Sequence, residues 1–167
     1  MNKQVGVAIM TVSDSRTKLT DTSGGYLVGA AEAAGHHLVD RAFVPDSIKA
    51  IRDAAKAWIA RDDIDVIITT GGTGLTGRDV TPEALQPLFD KAIEGFAAVF
   101  HRVSYDKIGL STMQSRACAG VAGGTFIFCL PGSGGAVRDG WSVIGPQLDL
   151  ATKPCNLVEI MPRLMER

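Results

Sequence analysis

A glycine-rich segment, TTGGTGLTGRDVTP at residues 69–82, directly follows a short apolar run and has the composition of a phosphate-binding loop. Its GxGxxG spacing matches the dinucleotide-binding fingerprint, in which the helix begins inside the motif and an acidic residue about 20 positions later binds ribose. Here Thr81-Pro82 predicts a helix that begins after Gly77, with Thr81 as N-cap. Glu94, the acidic residue nearest the expected distance, does not end a strand, and no Walker-type Gly-Lys-Ser/Thr follows. Both nucleotide motifs are therefore excluded.

The segment can still bind an anion through a wide loop whose backbone N–H groups converge on it. The loop residues are Gly71, Gly72, Thr73 and Gly74. We expect the hydroxyls of Thr70 and Thr73 to act as further donors and Arg78 to act as a counter-charge. A tight glycine turn that binds no ligand is an equally open interpretation of the pattern.

Two aspartates follow predicted strands and could bind a hard cation. Asp79 lies in the loop itself, where a carboxylate beside a phosphate is repelled unless a cation such as Mg²⁺ lies between them. Asp46 follows another strand and should lie on the same rim. The structural alternative is that each aspartate caps the helix that comes after it.

Two further segments end strands and could line the same site. Ser13-Asp14 follows the first strand, although this segment could equally be a turn. Pro131-Gly132-Ser133 precedes a predicted helix, so the free N–H groups at that helix terminus could form a second anion site. A simple loop explains this segment about as well.

The elements that must position these residues are short apolar strands separated by helices. The predicted strands are Val5–Val12, Leu38–Val44, Val66–Thr70 and Thr125–Leu130. One helix should begin at Asp21-Thr22-Ser23 and end at Gly35, and a second should begin after Ser47. Alternating strands and helices predict a parallel sheet covered on both faces, with ligands outside the carboxyl ends of the strands.

Composition limits the remaining possibilities. The 167 residues, 46% of them hydrophobic, predict a single domain over 1–167. A net charge of -1 without a basic stripe argues against nucleic acid and anionic membranes as partners. Three separated cysteines fit reduced thiols, and no signal peptide or membrane span is recognisable, so we expect a cytoplasmic protein.

Two residue sets are expected to be structural. His36, His37 and His101 lack ligand spacing and are predicted in turns or on the surface. The helical stripe of Phe96, Val99, Phe100 and Val103 is expected to pack in a core or between subunits rather than around a cofactor.

The segment TTGGTGLTGRDVTPEAL, with VPDS before it and SRACAG and LPGS after it, resembles the molybdopterin adenylyltransferase family of molybdenum-cofactor biosynthesis. AGHHLVD, QSRACAGVA and PQLDLATKPCN are most similar to its MoaB branch, and the similarity extends over nearly the whole chain. Leu75 and the absence of a second proline after LPG depart from many family members but are shared with that branch. The resemblance implies a three-layer α/β/α sandwich with a mostly parallel sheet, assembled as a homotrimer or hexamer.

The same resemblance implies transfer of AMP from Mg-ATP to molybdopterin, and a molybdenum-insertion enzyme as a possible partner. It assigns the family's two essential aspartates, with Mg²⁺, to Asp46 and Asp79. The phosphate loop then corresponds to Gly71–Gly74 and the second anion loop to Pro131-Gly132-Ser133, while Ser115-Arg116 matches a pair that lines the family's site.

Two other functions remain open at this stage. The chain could be a catalytically silent pterin-binding scaffold, although the presence of both aspartates favours turnover. It could also be a nucleotide pyrophosphatase, which would hydrolyse ATP in the absence of molybdopterin.

Overall fold

The computed structural model describes residues 3–167 and arranges them around a six-stranded sheet. The strands are β1 (Gly6–Val12), β2 (His37–Val44), β3 (Val66–Thr70), β4 (Lys91–Ala92), β5 (Cys118–Ala122) and β6 (Thr125–Leu130). Their order across the sheet is β2-β1-β3-β6-β5-β4. Strands β2, β1, β3 and β6 are parallel, whereas β5 and β4 form an antiparallel edge. The prediction of a mostly parallel sheet is confirmed, and the carboxyl ends of its four parallel strands meet at one edge.

Helices cover both faces of this sheet. Within residues 3–167 the α-helices are α1 (Thr22–Ala33), α2 (Ile48–Ile59), α3 (Thr81–Leu85), α4 (Glu94–Ile108), α5 (Gly134–Gln147) and α6 (Leu157–Ile160). Short 3-10 turns at Gln86–Leu88, Gly109–Gln114 and Met161–Arg163 follow three of these helices. Among the described residues, no helix combines the length and apolar character needed to cross a bilayer.

Alternation along the buried strands supplies two separate cores. Val7 and Ile9 of β1 face a cluster that includes side chains of α1, α4 and α5, whereas Ala8 and Met10 face a cluster that includes side chains of α2 and α3. Successive strand residues point to opposite faces, so a mostly apolar β1 that is buried along its whole length is what a sheet covered on both sides requires. The three-layer α/β/α architecture is therefore confirmed.

The predicted ends of the first helix are also confirmed. The Asp21 carboxylate accepts a hydrogen bond of 2.9 Å from the N–H of Gly24, as an N-cap should. Gly35 has a φ of 85°, the left-handed geometry expected just beyond a helix end. Asp21 and Gly35 therefore define the two ends of α1, the helix that connects β1 to β2.

Two local predictions need correction. Helix α3 includes Thr81, whose hydroxyl donates to the carbonyl of Gly71 at 2.8 Å instead of capping the helix. His36 is buried rather than at the surface, because it lies beneath the C-terminal half of α5, and burial lowers the pKa of its imidazole. The predicted packing of the α4 stripe is confirmed for Phe96 and Phe100, which are buried in the core, while Val99 is 49% exposed.

Candidate functional site

A cavity of about 370 Å³ lies where the loops after β3 and β6 approach α4. It is lined on one side by Gly71, Gly72, Thr73, Gly74 and Asp79, and on another by Pro131, Gly132 and Ser133. Ser115, which precedes β5, also lines the cavity. Because β3 and β6 are parallel neighbours, three segments that are distant in sequence meet at one edge of the sheet.

The glycines of the first loop are required by contacts within the chain. Gly71 and Gly72 have φ values of 103° and 72°, which side-chain-bearing residues rarely adopt. A Cβ atom on Gly71 would lie 2.3 Å from the carbonyl oxygen of Val12, and one on Gly72 would lie 2.3 Å from the Thr81 Oγ. The glycines thus make room for neighbouring protein atoms at least as much as for a ligand.

The loop already surrounds an anion, the carboxylate of Asp79. Its Oδ2 accepts hydrogen bonds from the Thr76 N–H at 3.0 Å and from the Thr76 hydroxyl at 2.7 Å. The Thr76 hydroxyl, together with the backbone N–H groups of Thr76 and Gly74, lowers the pKa of Asp79. This carboxylate is therefore ionised and does not cap α3, whose N-cap position is occupied by Val80 without a side-chain bond.

These contacts limit which backbone donors of Gly71–Gly74 can face a ligand. The Gly71 N–H donates to the carbonyl of Leu130 at 3.0 Å, and the Gly74 N–H is directed at Asp79. The N–H groups of Gly72 and Thr73 are the members of this loop that remain as candidate anion donors.

Asp46 lies on the same rim, after β2, and is half-buried. It does not cap α2, because the Ser47 hydroxyl accepts the hydrogen bond from the Ala50 N–H at 3.3 Å. Its backbone N–H donates instead to the Asp14 carboxylate at 3.0 Å. Burial, followed by the negative charges of Asp14 and Asp79, raises the pKa of Asp46 despite the opposing charge of Arg78.

Arg78 and Asp14 form an ion pair across this rim. The hydrogen bond from Asp46 and the bond from Arg78 lower the pKa of Asp14. The Arg78 side chain is 76% exposed and the structure orients it toward Asp14 rather than into the cavity. The loop after β1 is thereby tied to the glycine loop.

The electrostatics of this rim fit a divalent cation. Burial of Asp46, followed by the negative charges of Asp14 and Asp79, raises its pKa, while the charge of Arg78 opposes this shift. In the described part of the chain no cluster of three His, Cys, Asp or Glu side chains is placed to hold a metal ion. Mg²⁺ is commonly bound by one or two carboxylates, with substrate phosphates completing its coordination, and Asp46 and Asp79 fit that arrangement.

Arg116 lies behind the loop rather than in the cavity. Its guanidinium donates to the carbonyls of Gly74 at 2.8 Å and of Asp79 at 2.9 Å, and it pairs with the Glu83 carboxylate. Of the predicted Ser115-Arg116 pair, only Ser115 lines the cavity. The structure therefore places Arg116 as a support that holds the loop around Asp79.

The second loop is held in the same way by internal hydrogen bonds. Ser133 is the N-cap of α5 and accepts from the Ala136 N–H at 3.2 Å. The Thr70 hydroxyl donates to the carbonyl of Pro131 at 3.0 Å, so it is not a free donor for an anion. The Ser23 hydroxyl likewise donates to Gly132 at 2.8 Å. These bonds set the N-terminus of α5 at the edge of the cavity.

A smaller cavity of about 180 Å³ lies between the ends of β1 and β3, and Ser13 is one of the residues that line it. Gly71 and Gly132 line both cavities, so the two spaces are separated by the backbone of the loops. The Ser13 hydroxyl accepts from the N–H groups of Ser15 and Arg16, both at 3.2 Å. Ser13 thus shapes its own turn beside the site.

One wall of the main cavity was missed from the sequence. Phe100, Ser104 and Ile108 of α4 line it at four-residue intervals, and the 3-10 turn after α4 contributes Ser111, Thr112 and Gln114. Of these three α4 residues, only Phe100 belongs to the stripe recognised from the sequence, which was predicted to pack in a core or between subunits rather than around a ligand. This wall gives the cavity an apolar surface beside hydroxyl and amide groups.

The sequence matches a family model over residues 8–150, and that family is described as "Probable molybdopterin binding domain". The chain is 55% identical over 151 residues to molybdenum cofactor biosynthesis protein B of Escherichia coli (strain K12), which covers 90% of this chain and 89% of that protein. A crystal structure of a molybdenum cofactor biosynthesis protein B superposes with a TM-score of 0.86 at 43% identity, over 89% of this chain and 93% of the other. The tungsten cofactor synthesizing protein MoaB from Pyrococcus furiosus gives a TM-score of 0.75 at 35% identity, over 89% and 94%. The matched range includes every residue that lines the main cavity.

Proposed function

The chain belongs to the molybdopterin-binding domain family of molybdenum-cofactor biosynthesis, and on this premise we propose that it transfers AMP from Mg-ATP to molybdopterin. The observation that carries the proposal is the meeting of the Gly71–Gly74 loop, Asp79 and the Pro131–Ser133 loop around one cavity. A binding protein for a pterin alone has no need of an ionised carboxylate held beside candidate phosphate donors.

The transfer requires little covalent chemistry from the protein. A terminal phosphate oxygen of molybdopterin attacks the α-phosphorus of ATP, a new P–O bond forms, and the bond to the departing pyrophosphate breaks. The nucleophile is already an anion, so no general base is needed. Catalysis then depends on positioning and on neutralising charge in the transition state.

The residues that would hold Mg²⁺ are Asp46 and Asp79. When bound, the ion would supply positive charge to the phosphate oxygens and to the pyrophosphate leaving group. Thr76 and Arg116 keep Asp79 ionised and in place, while Asp46 offers a second carboxylate close to the negative charges of Asp14 and Asp79. Both features favour recruitment of a cation together with an anionic substrate.

The α4 wall supports a flat heterocyclic substrate. Ile108, which is 55% exposed, provides apolar contact area, while the exposed Gln114 can hydrogen-bond ring heteroatoms. A pterin combines a flat ring system with donors and acceptors at its edge, and its phosphate would then extend toward the glycine loop. This arrangement uses both the apolar and the polar parts of the cavity.

The direct test is to incubate the purified protein with Mg-ATP and molybdopterin and to look for adenylylated molybdopterin and an equal amount of pyrophosphate. Formation of both supports the proposal. Tight molybdopterin binding without product would support a scaffold instead. Continuous ATP hydrolysis in the absence of molybdopterin would support a nucleotide pyrophosphatase.

A further inference from the structure

Two of the three cysteines face each other across the antiparallel edge of the sheet. Cys118 of β5 is the direct register partner of Cys129 of β6. Both side chains point to the face of the sheet that α2 and α3 cover, where the two thiols influence each other's pKa. Cys155 lies elsewhere and is exposed.

The strand geometry permits a bond between these sulfurs without moving the backbone. Directly opposed residues of antiparallel strands have Cα atoms roughly 4.5–5.5 Å apart. Disulfides form across Cα separations of about 4.4–6.8 Å. The turn at Gly123 and Gly124, both with positive φ, fixes the register that places the cysteines opposite each other.

The two thiols differ in access and in acidity. Cys118 is half-buried and lines a cavity of about 500 Å³, whereas Cys129 is fully buried. The hydrogen bond with Cys129, followed by the Gln86 side chain and the charge of Arg116, lowers the pKa of Cys118. The same contact and burial raise the pKa of Cys129. The accessible sulfur is thus also the one with more thiolate character, which is the condition for reaction with oxidants.

We propose that Cys118 and Cys129 form a redox pair in which Cys118 reacts with hydrogen peroxide and Cys129 resolves the product as an intramolecular disulfide. The Cys118 thiolate attacks a peroxide oxygen, the O–O bond breaks, and sulfenic acid and water result after protonation. The Cys129 sulfur then attacks the Cys118 sulfur, the S–S bond forms, and the S–O bond breaks. The Cys129 proton leaves with the hydroxide as water. Overall two thiols lose two electrons and one peroxide becomes two waters.

Each cysteine is close in sequence to a residue of the candidate site or of its support. Arg116, which holds the Asp79 loop, is two residues before Cys118, and Pro131 is two residues after Cys129. The disulfide would therefore join the strand ends that carry both loops. This inference concerns thiol chemistry alone and does not depend on adenylyl transfer.

The test uses Cys155→Ser protein, which retains only the opposed pair. It is treated with hydrogen peroxide, unfolded in guanidinium chloride so that the buried Cys129 is accessible, alkylated with N-ethylmaleimide and cleaved by chymotrypsin, since Phe126 and Phe128 lie between the cysteines. We expect two peptides joined by a disulfide and an intact mass reduced by two hydrogens. Reduction should restore alkylation of both thiols.

Two variants in the same background assign the roles. In Cys129→Ala, dimedone should trap a sulfenic acid on Cys118, whereas in Cys118→Ser the Cys129 thiol should remain unmodified. Circular dichroism checks that each variant is folded. Sulfinic acid on Cys118 with Cys129 still alkylated in the Cys155→Ser protein would overturn the proposal, as would two intact thiols or a disulfide between molecules.

Discussion

Among the aspartates on the rim, Asp46 has a raised pKa while those of Asp14 and Asp79 are lowered. At the scale of the residue, this difference follows from hydrogen bonds to Asp14 and Asp79 and from the burial of Asp46. Asp14 is held by Arg78 and by a backbone N–H, and Asp79 by Thr76, but Asp46 is buried within the field of both. Because the pKa of Asp46 is raised in the folded state, its ionised form lowers the free energy of unfolding. This loss of stability is fully present above the folded-state pKa and disappears below the unfolded-state pKa.

Neutralising Asp14 should lower the pKa of Asp46. Activity that needs ionised Asp46 declines as the pH falls through that pKa, so the acid limb of the pH–rate profile should move to lower pH in Asp14→Asn. The position of the limb, rather than its height, is the quantity to compare. An unchanged or upward-shifted limb would contradict the assigned cause of the shift.

Gly72 should tolerate substitution far less well than Gly77 in the same loop. Alanine at Gly72 requires a left-handed backbone, which costs roughly 1–2 kcal/mol, and its Cβ would collide with Thr81 Oγ at 2.3 Å. Nothing lies within 4 Å of a Cβ on Gly77. Urea denaturation of Gly72→Ala and Gly77→Ala measures the difference, and equal unfolding free energies would show that the loop is not held as described.

The glycine loop was recognisable from the sequence because GxGxxG lies directly after an apolar run. Its partners were not recognisable, since Thr81 reaches Gly71 across 10 residues and Arg116 reaches Gly74 across 42. Such contacts depend on how loops return in space, which no local pattern encodes. The segments that line the cavity were thus predicted better than the hydrogen bonds that hold them.

At the scale of the element, two adjacent residues at the start of helix α2 have different roles: Ser47 stabilises the helix, whereas Asp46 is proposed to act in catalysis. Ser47 caps the helix, so Ser47→Ala should destabilise the protein by ~1 kcal/mol. Because the Ser47 hydroxyl bonds within α2, the rate of adenylyl transfer should remain close to that of wild type. Thermal unfolding and the transfer assay together check this expectation, and a rate that collapses while stability is kept would contradict it.

The four parallel strands were predicted from the sequence because each contains a short apolar run bounded by turn residues, although β2 is mostly half-buried. Strand β5 was missed since its sequence, CAGVA, contains mostly small residues. The structure explains this composition: a Cβ on Gly120 would lie 2.3 Å from the ring of Phe89, so a larger residue does not fit. Strand β4 has only two residues and leaves no periodic signal.

At the scale of the whole molecule, α4 and the turn after it leave apolar side chains in solvent. Val99, Tyr105, Ile108, Leu110 and Met113 are 49–74% exposed. A surface of this kind is typical of a protein interface, and the family resemblance implies threefold assembly. We therefore expect native mass spectrometry to show a homotrimer or hexamer at micromolar concentration. A spectrum dominated by monomer would contradict this prediction.

The central claim is that Asp46 and Asp79 act through their negative charge, and adenylyl transfer by Asp46→Asn and Asp79→Asn with saturating Mg-ATP tests it most directly. Asparagine keeps the shape and an acceptor oxygen but loses the charge that attracts Mg²⁺. Asp53→Asn, on the exposed side of α2, is the matched control. We predict rates reduced by orders of magnitude in the first two variants, with unfolding free energies near that of wild type, and an unaffected control. Near-wild-type transfer by both Asp46→Asn and Asp79→Asn would contradict the account.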